Sequence, residues 1–525
     1  MICSIPGLPN DSYVAVDEAH ASLINVSLPW DSELGDKGGW SQCLVRSVDE
    51  GTGDQVNREC TAWVYDDSVF RSTVVSKFDL ICDKKMSRSH ARMILMGGLL
   101  LGAIGIGVIA DIIGRKKALM AMVALHAGAS IAVAYVESFV LYVIFRFLTG
   151  ISISGLFLAI FVLGMELVGP SKRMFVGIVV EVFWALGVMI LGAIAYFVRD
   201  WNYLQMAVSF PILLFFSYWW FIPESPRWLL ARGRDEEAEA IIRHAAKVNG
   251  VKMPDKIFDG KTFDEAYTRE KMSRVFTSPR FMFRLVVLCY NWLSSAMVFY
   301  GLGLNAGNLA GDLYVNFELM GVVELIAYGA CVLLLNRIGR KPLHIACMIL
   351  GGGACLSTIF TVLYADESLQ WLNIVLALLG KCGASAAFAI IYVYSAELFP
   401  TPLRNSLMGV TCLFARMGGM ISPYIADLNT VVSGQFGQAL PLIVFGASTV
   451  AGGLMCFMLP ETLHKHLPET LEDATNFGRV TSSSSGTVRR RQGDWDIEYT
   501  VDAPSKECDP LNARTRDREA KEPVV

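Results

Sequence analysis

The sequence is poor in charge and lacks the short patterns on which most protein chemistry depends. Of its 525 residues 18% are charged, and the net charge of −4 argues against nucleic acid as a partner. The seven histidines form no HxxxH pair, no CxxC pair occurs, and no glycine-rich loop precedes Lys-Ser or Lys-Thr. The sequence therefore predicts no metal site, no ATP site and no enzyme. It also lacks helices with repeated arginines, which would indicate a voltage sensor.

Apolar residues are abundant where charge is scarce. Hydrophobic residues make up 53% of the chain, more than one soluble core can bury. From about residue 90, apolar runs of ~20 residues recur, the length that a helix needs to cross ~30 Å of hydrocarbon. The predicted spans lie near residues 90–110, 118–136, 139–163, 174–196, 203–222, 281–301, 314–335, 343–364, 371–394, 407–427 and 439–458. About eleven such helices predict an all-α, multi-pass membrane protein surrounded by a lipid bilayer.

The distribution of charge divides the chain into five regions. They are a polar stretch over 1–88, a helix bundle over 89–222, a linker over 223–280, a second bundle over 281–459 and a polar tail over 460–525. The linker contains a predicted helix at Asp235–Asn249, with acids in its first turn and Gly250 after its end. The composition of the tail is typical of disorder.

Basic residues indicate which side of the membrane each connection occupies. Lys and Arg are concentrated in alternate connections, in the linker and in the tail, and the positive-inside rule places these segments in the cytoplasm. Residues 1–88 are then extracellular. They carry acceptor sequences for N-glycosylation at Asn10 and Asn25. An oxidising exterior would also favour disulfides, with three connectivities open, among Cys3, Cys43, Cys60 and Cys82.

Two polar patterns occur twice, once in each bundle. GVIADIIGRKK at 107–117 is echoed by VLLLNRIGRKP at 332–342, and in each bundle a Glu precedes an Arg by seven residues. Such an internal duplication is typical of secondary transporters. The residues of these patterns that we expect to gate the cytoplasmic side are Gly107, Asp111, Gly114, Arg115, Glu166, Arg173, Asn336, Gly339, Arg340, Glu397 and Arg404.

The start of the chain conflicts with this duplication. An extracellular N-terminal region without a signal peptide needs a helix before it, because Met1-Ile-Cys-Ser offers neither a basic start nor an apolar stretch. An odd number of helices also cannot form two equal bundles. We therefore expect that one helix upstream of Met1 is missing, through a truncated gene model or a short isoform.

Ionisable residues inside the predicted spans mark a second candidate site. Each costs ~2.5–3.5 kcal/mol at mid-helix, so its presence suggests a partner or a water-filled cavity. Arg146 and Lys381 lie in corresponding helices of the two bundles and are expected to form structural pairs. Glu181 and Glu324 would attract a cationic group and Arg416 a carboxylate, unless these three neutralise one another or polar neighbours.

Aromatic residues near these spans offer a further contact for a cationic group. Ring faces attract quaternary ammonium groups with ~0.5–2 kcal/mol each. Trp and Tyr also anchor helix ends at the membrane interface, which is the simpler role for most of them. We assign a substrate contact to Trp292 and Tyr300.

Several stretches resemble the organic cation/carnitine (organic ion) transporter family of the major facilitator superfamily. They are WVYD at 63–66, TVVSKFDLIC at 73–82, FIPESPRWL at 221–229, AELFPTPLRN at 396–405 and LPET at 459–462 and 467–470. The resemblance covers about 40–478 and implies twelve helices in two six-helix bundles, one central site and alternating access. The resemblance also implies that the family's first helix lines that site, and this helix is the segment that we expect to be missing here.

Other residues resemble particular branches of that family. Tyr300–Asn305 and Val323-Glu324 resemble the carnitine/organic cation branch. Arg416 differs from the acid that cation-only members have nearby and resembles the carnitine and anion members. A zwitterion satisfies both observations, with its ammonium near Glu324 and its carboxylate near Arg416. Asn336 replaces the usual Asp of the second turn pattern, which predicts a weaker gate in that half.

Together these features predict a plasma-membrane facilitator or symporter for small organic cations or zwitterions such as carnitine. No cofactor is expected, and sodium or proton coupling is left open. One alternative is an organic anion exchanger, favoured by Arg416 and disfavoured by Glu181 and Glu324. The other is a truncated, non-transporting membrane protein. The sequence does not determine the substrate, the direction of transport or the oligomeric state.

Overall fold

The computed structural model describes most of the chain up to residue 477. The described residues are 2–5, 8, 11–31, 39–48, 55–168, 173–254, 275, 278–305, 311–364, 369–400, 403–430, 432, 435–465, 468 and 470–477. The predicted glycosylation site at Asn10 and the tail beyond residue 477 lie outside them.

The polar region before the first spanning helix folds as a small disulfide-linked unit. Its elements are β1 (Ile2–Cys3), α1 (Glu18–Ser27), β2 (Trp30–Asp31), β3 (Gly39–Trp40), β4 (Leu44–Val48), β5 (Gln55–Glu59), β6 (Trp63–Val64) and α2 (Val74–Phe78). β1 pairs with β6, β2 with β3 and β4 with β5, all antiparallel. Cys3 is joined to Cys60 and Cys43 to Cys82. This is one of the three connectivities that the sequence leaves open.

Two side chains of this unit illustrate its local environments. Tyr65 donates a hydrogen bond to Asp79 at 2.8 Å, and partial burial together with the neighbouring carboxylate raises the pKa of the phenol. Asn25 lies exposed on α1, as a glycan acceptor must, and its modification stays a prediction.

The first helix bundle runs from residue 87 to residue 221. Its helices are α3 (Ser87–Ile113), α4 (Arg115–Tyr135), α5 (Phe139–Leu167), α6 (Arg173–Phe197), α7 (Trp201–Ser209) and α8 (Tyr218–Phe221). Between α7 and α8 the chain continues as a 3-10 helix, Phe210–Ser217. The fifth predicted span is therefore not one continuous α-helix. Pro211 near the start of that segment cannot donate the backbone hydrogen bond that an α-helix needs there.

The linker begins with two short helices. α9 (Pro226–Ala231) is capped by Ser225, whose hydroxyl accepts from Trp228 N at 3.3 Å. α10 (Asp235–Val248) forms where the sequence predicts it, with Asp235, Glu236 and Glu237 in the first turn. Carboxylates at that position stabilise a helix because its N-terminus carries partial positive charge.

The second bundle repeats the arrangement. Its helices are α11 (Pro279–Asn305), α12 (Leu313–Ile338), α13 (Arg340–Tyr364), α14 (Gln370–Leu398), α15 (Arg404–Ala426) and α16 (Gln435–Met455), followed by α17 (Leu471–Asn476). Among the described residues, ten helices are long and apolar enough to cross a membrane. α15 corresponds to the predicted span at 407–427, the tenth in chain order. It forms at the predicted place, but it is not among those ten.

Glycine ends the first long helix of the turn pattern in both halves. Gly114 between α3 and α4 has φ 104°, and Gly339 between α12 and α13 has φ 107°. Residues with a Cβ are strained in this region, whereas glycine is not. This explains why both copies of the pattern carry Gly immediately before Arg-Lys.

The bundles have two distinct ends. We call the end that carries Gly114 and Gly339 the turn end, and the end that carries residues 2–86 the loop end. The halves meet through α3 against α15 and through α6 against α12. Side-chain contacts on these seams join Met93 to Tyr424 and Tyr196 to Tyr314, and both pairs lie towards the loop end.

Candidate functional site

Arg416 lies partly buried in the middle of α15 and faces aromatic side chains. Its Nη1 donates a long hydrogen bond of 3.4 Å to Tyr300 Oη on α11, and it also interacts electrostatically with Tyr392 on α14. In the part of the chain that the structure describes, no carboxylate forms an ion pair with Arg416. Its positive charge is therefore available to a ligand.

Glu181 approaches the same aromatic group from the other half. It lies on α6, partly buried, and Tyr392 interacts electrostatically with both Glu181 and Arg416. No ion pair involving Glu181 occurs among the described residues either. The two halves thus each contribute one ionisable side chain, Glu181 and Arg416, that interacts electrostatically with the same tyrosine.

Glu324 is differently placed from what the sequence predicts. Its Oε1 lies 2.6 Å from Lys381 Nζ, and both side chains are 4% exposed. Lys381 also donates to Phe299 O at 3.2 Å and lies 3.7 Å from the centre of the Phe299 ring. The charge of Glu324 is therefore already neutralised in this conformation. In this conformation Glu324 is therefore not free to contact a cationic substrate, whereas Glu181, for which the same role is predicted, has no ion-pair partner among the described residues.

The prediction of structural pairs is right for Lys381 and wrong for Arg146. Arg146 Nε donates to Tyr142 Oη at 3.0 Å, and its guanidinium lies 5.4 Å from the centre of that ring. The described residues give it no acidic partner. Arg146 is instead held by an aromatic neighbour on its own helix.

The two predicted aromatic contacts also differ from each other. Tyr300 is partly buried and touches Arg416 through its hydroxyl group, so it can contact a ligand. Trp292 is fully buried, its Nε1 donates to Ser395 Oγ at 2.8 Å, and its ring lies 4.3 Å from that of Tyr392. Trp292 therefore packs against Tyr392 without being accessible to a ligand. The prediction that it touches substrate is wrong for this conformation.

Both turn patterns form ion pairs at the turn end. In the first half Arg115 lies 2.8 Å from Asp111 and 3.3 Å from Glu166. In the second half Arg340 lies 3.0 Å from Glu397. Asn336 stands where the first half has Asp111 and carries no charge to repeat its ion pair. The described pairs join residues of one half, so they organise each bundle rather than join the two.

The other predicted gating residues have different surroundings where the structure describes them. Arg404 donates to Phe399 O at 3.3 Å through Nη2. Arg173 begins α6, and its side chain lies outside the described part of the chain. A Cβ added at Gly107 would meet nothing within 4 Å, so this conformation gives no steric reason for glycine there.

Two acids that the sequence analysis did not assign complete the turn end. Glu224 Oε1 accepts from Lys116 N at 3.1 Å, and Glu461 accepts from the backbone N of Arg340 and Lys341 at 3.1 and 3.0 Å. Each carboxylate therefore caps the helix that follows a turn glycine. The signal was visible as a third repeat, Pro-Glu-Ser at 223–225 and Pro-Glu-Thr at 460–462.

The loop end carries an ion pair between the halves that the sequence analysis also missed. Asp427 directly follows α15, and its Oδ1 accepts from Arg88 Nη2 of α3 at 2.7 Å. Ser89 Oγ donates to Asp427 Oδ2, and Arg92 Nη1 lies 3.9 Å from the same oxygen. Arg88 and Ser89 lie 339 and 338 positions before Asp427 in the chain. Sequence spacing could therefore not reveal the contact.

A separate cavity lies at the turn end. It has a volume of about 350 Å³ and is lined by Pro279, Arg280, Phe283, Arg284 and Met458. None of these residues belongs to the group around Arg416 and Glu181. We therefore base the candidate site on that charged group rather than on the cavity.

Two bundles of membrane-spanning helices, each contributing a partly buried ionisable side chain near Tyr392, are the arrangement of a transmembrane transporter. The family model described as "Sugar (and other) transporter" matches residues 64–473, and the chain belongs to this family. The matching solved structures place it in the major facilitator fold. The proton:xylose symporter XylE bound to 6-bromo-6-deoxy-D-glucose superposes with a TM-score of 0.59 at 17% identity, over 77% of this chain and 92% of that one.

Curated relatives are closer in sequence. The "Organic cation transporter protein" of Drosophila melanogaster is 35% identical over 434 residues, covering 80% of this chain and 77% of the relative. The "Organic cation/carnitine transporter 2" of Homo sapiens is 35% identical over 433 residues, covering 81% and 76%. The predicted fold class and the predicted resemblance are confirmed.

Proposed function

We propose that this protein carries small organic ions across the plasma membrane by alternating access, and that zwitterions such as carnitine are among its substrates. The observation that carries the proposal is the placement of Glu181 and Arg416 on opposite halves, both within electrostatic reach of Tyr392. An ammonium group would bind beside Glu181 and a carboxylate beside Arg416. The names of the relatives, organic cation and organic cation/carnitine transporters, support the same class of substrate.

Binding by two halves gives the substrate a way to favour the transition between states. A ligand shifts a conformational equilibrium only through different affinities for the two states. A zwitterion that contacts both halves at once is bound best when the halves close around it. Its partial dehydration is offset by the two opposite charges and by the Tyr300 and Tyr392 rings, whose faces attract an ammonium group.

The basic residues of the turns favour a cytoplasmic position for the turn end. The contacts along the seams then lie on the extracellular side, which corresponds to an inward-facing state. To open outward, the protein must separate Asp427 from Arg88. The pairs of Arg115 and Arg340 lie within single halves, so they would steady the bundles while these move.

The net charge of the substrate decides what drives its entry. A monovalent cation gains ~2.3 kcal/mol per 100 mV of inside-negative potential. Carnitine has no net charge and gains nothing from that potential, so its accumulation requires a coupled ion. Sodium and protons are the candidates that a plasma-membrane symporter would use.

The test is uptake of labelled carnitine and labelled tetraethylammonium by cells expressing the full chain, with and without sodium. Arg416→Ala should reduce carnitine uptake at least tenfold at equal surface expression, because a charged hydrogen bond contributes roughly 1.5–3 kcal/mol. Tetraethylammonium uptake should change much less. Arg243→Ala, on exposed helix α10, is the matched control. Equal loss of both substrates in Arg416→Ala would refute the assignment of the carboxylate to Arg416.

A further inference from the structure

The ion pair at the loop end holds more positive than negative charge. Asp427 contacts Arg88 and Ser89 closely and Arg92 at 3.9 Å. Arg92 in turn interacts electrostatically with Arg146, which has Tyr142 rather than an acid beside it. Two guanidinium groups, those of Arg88 and Arg92, therefore share one carboxylate among the contacts that the structure gives for these residues, and that of Arg146 adds a third positive charge near Arg92.

The bonding capacity of these arginines is only partly used. Arg88 Nε is buried and has no hydrogen-bond acceptor among the described atoms. The Arg92 side chain is 37% exposed, and at 3.9 Å it is too far from Asp427 for a direct hydrogen bond. A second carboxylate could therefore reach Arg92, and guanidinium groups bind carboxylates through two parallel hydrogen bonds.

The one acid and the arginines belong to different halves. Arg88 and Arg92 lie on α3, whereas Asp427 directly follows α15. Next to them Tyr424 of α15 packs against His90 and Met93 of α3. When the halves part at this end, Asp427 leaves with α15, and the arginines lose the carboxylate that partly neutralises them.

We infer that Arg88 and Arg92 form an entry site for the carboxylate of the substrate, and that Asp427 occupies this site as an internal substitute while the loop end is closed. The inference rests on the proposed function, because it gives the zwitterion a first contact on its way inward. Arg416 lies on α15, eleven residues before Asp427, which directly follows that helix, so the rise between them is roughly 16 Å. A carboxylate released by Arg92 would therefore find its next guanidinium about three helical turns deeper.

This arrangement also bears on selectivity. A mouth with excess positive charge raises the local concentration of anionic groups and disfavours simple cations. Compounds that carry a carboxylate beside their ammonium group should bind more readily from outside than the same ammonium without it. Carnitine and choline form such a pair, since both carry a trimethylammonium group and only carnitine carries a carboxylate.

The experiment compares Arg92→Gln with Arg92→Lys and with the control Arg71→Gln, at an exposed arginine of the polar region that the loop end carries. In cells expressing the full chain, the KM of labelled carnitine is measured together with the Ki of unlabelled choline. Arg92→Gln should raise the carnitine KM about three- to fivefold, as expected for the loss of a partly exposed charge contact, and leave the choline Ki within twofold. Arg92→Lys should recover most of the loss, and Arg71→Gln should change neither constant.

An unchanged carnitine KM in Arg92→Gln, or an equal rise in the choline Ki, would overturn the inference. In parallel with the uptake assay, carnitine binding to the purified full chain in lipid nanodiscs is measured as the increase in the temperature of thermal unfolding. Absence of uptake by the unsubstituted protein would count against the proposed function. The binding comparison would still decide on the arginines, because Arg92→Gln must weaken carnitine binding more than choline binding.

Discussion

Lys381 and Glu324 form a buried ion pair inside the second bundle, with 2.6 Å between Nζ and Oε1. The pair joins α14 to α12, and the ring and carbonyl oxygen of Phe299 on α11 complete the surroundings of the ammonium group. Three helices of one half are thus connected through one lysine. A residue that appeared from the sequence to be a substrate contact is part of the internal structure of the bundle.

Glu324→Gln should therefore destabilise the protein. The substitution leaves the ammonium group of Lys381 buried without its counter-charge, and removing one partner of a buried pair costs about 3–5 kcal/mol. Thermal unfolding of the purified protein should shift to lower temperature, and uptake should fall in proportion to surface expression. The double variant Glu324→Gln/Lys381→Met should recover most of the stability. Normal stability of Glu324→Gln together with a selective loss of cation uptake would instead show that Glu324 contacts the substrate.

Glu181→Gln should act on substrate without this loss of stability. Glu181 lies partly buried and forms no ion pair among the described residues, so neutralising it leaves no described partner uncompensated. Because both carnitine and tetraethylammonium carry a quaternary ammonium group, the KM of each should rise about tenfold, which corresponds to ~1.4 kcal/mol. Glu239→Gln, in an exposed pair on α10, is the control. A change confined to carnitine would contradict the assignment.

Glu224→Gln and Glu461→Gln should have similar effects in the two halves. Each substitution removes a charge that accepts backbone hydrogen bonds at the start of α4 or α13. The expected loss in the free energy of unfolding is about 1–2 kcal/mol each, as for other helix caps. Thermal unfolding of the two single variants and of the double variant measures it. A large effect in one half alone would show that the two contacts are not equivalent.

The positions of the membrane helices were predictable because the signal is local. An apolar run of ~20 residues satisfies its own backbone hydrogen bonds only as a helix in lipid. The turn glycines and the helix at Asp235 follow from short patterns of the same kind. The 3-10 segment after α7 was missed, although Pro211 gave a local signal for it.

The contacts between distant segments were not predictable in this way. The disulfide pairs depend on which cysteines the small strands bring together, and spacing alone allows three answers. The capping role of Glu224 had a visible signal, the repeated Pro-Glu dipeptide, but its partner lies 108 residues away.

By itself the sequence determined a duplicated, two-bundle transporter whose spans contain both acids and bases. It could do so because helix length, hydropathy and basic turns depend on residues that are neighbours in the chain. Only the tertiary structure decided which of those charges are already neutralised. Glu324 pairs with Lys381 and Asp427 pairs with Arg88, whereas Glu181 and Arg416 form no ion pair among the described residues. Whether a buried charge is available depends on partners within about 4 Å, and folding brings those partners from anywhere in the chain.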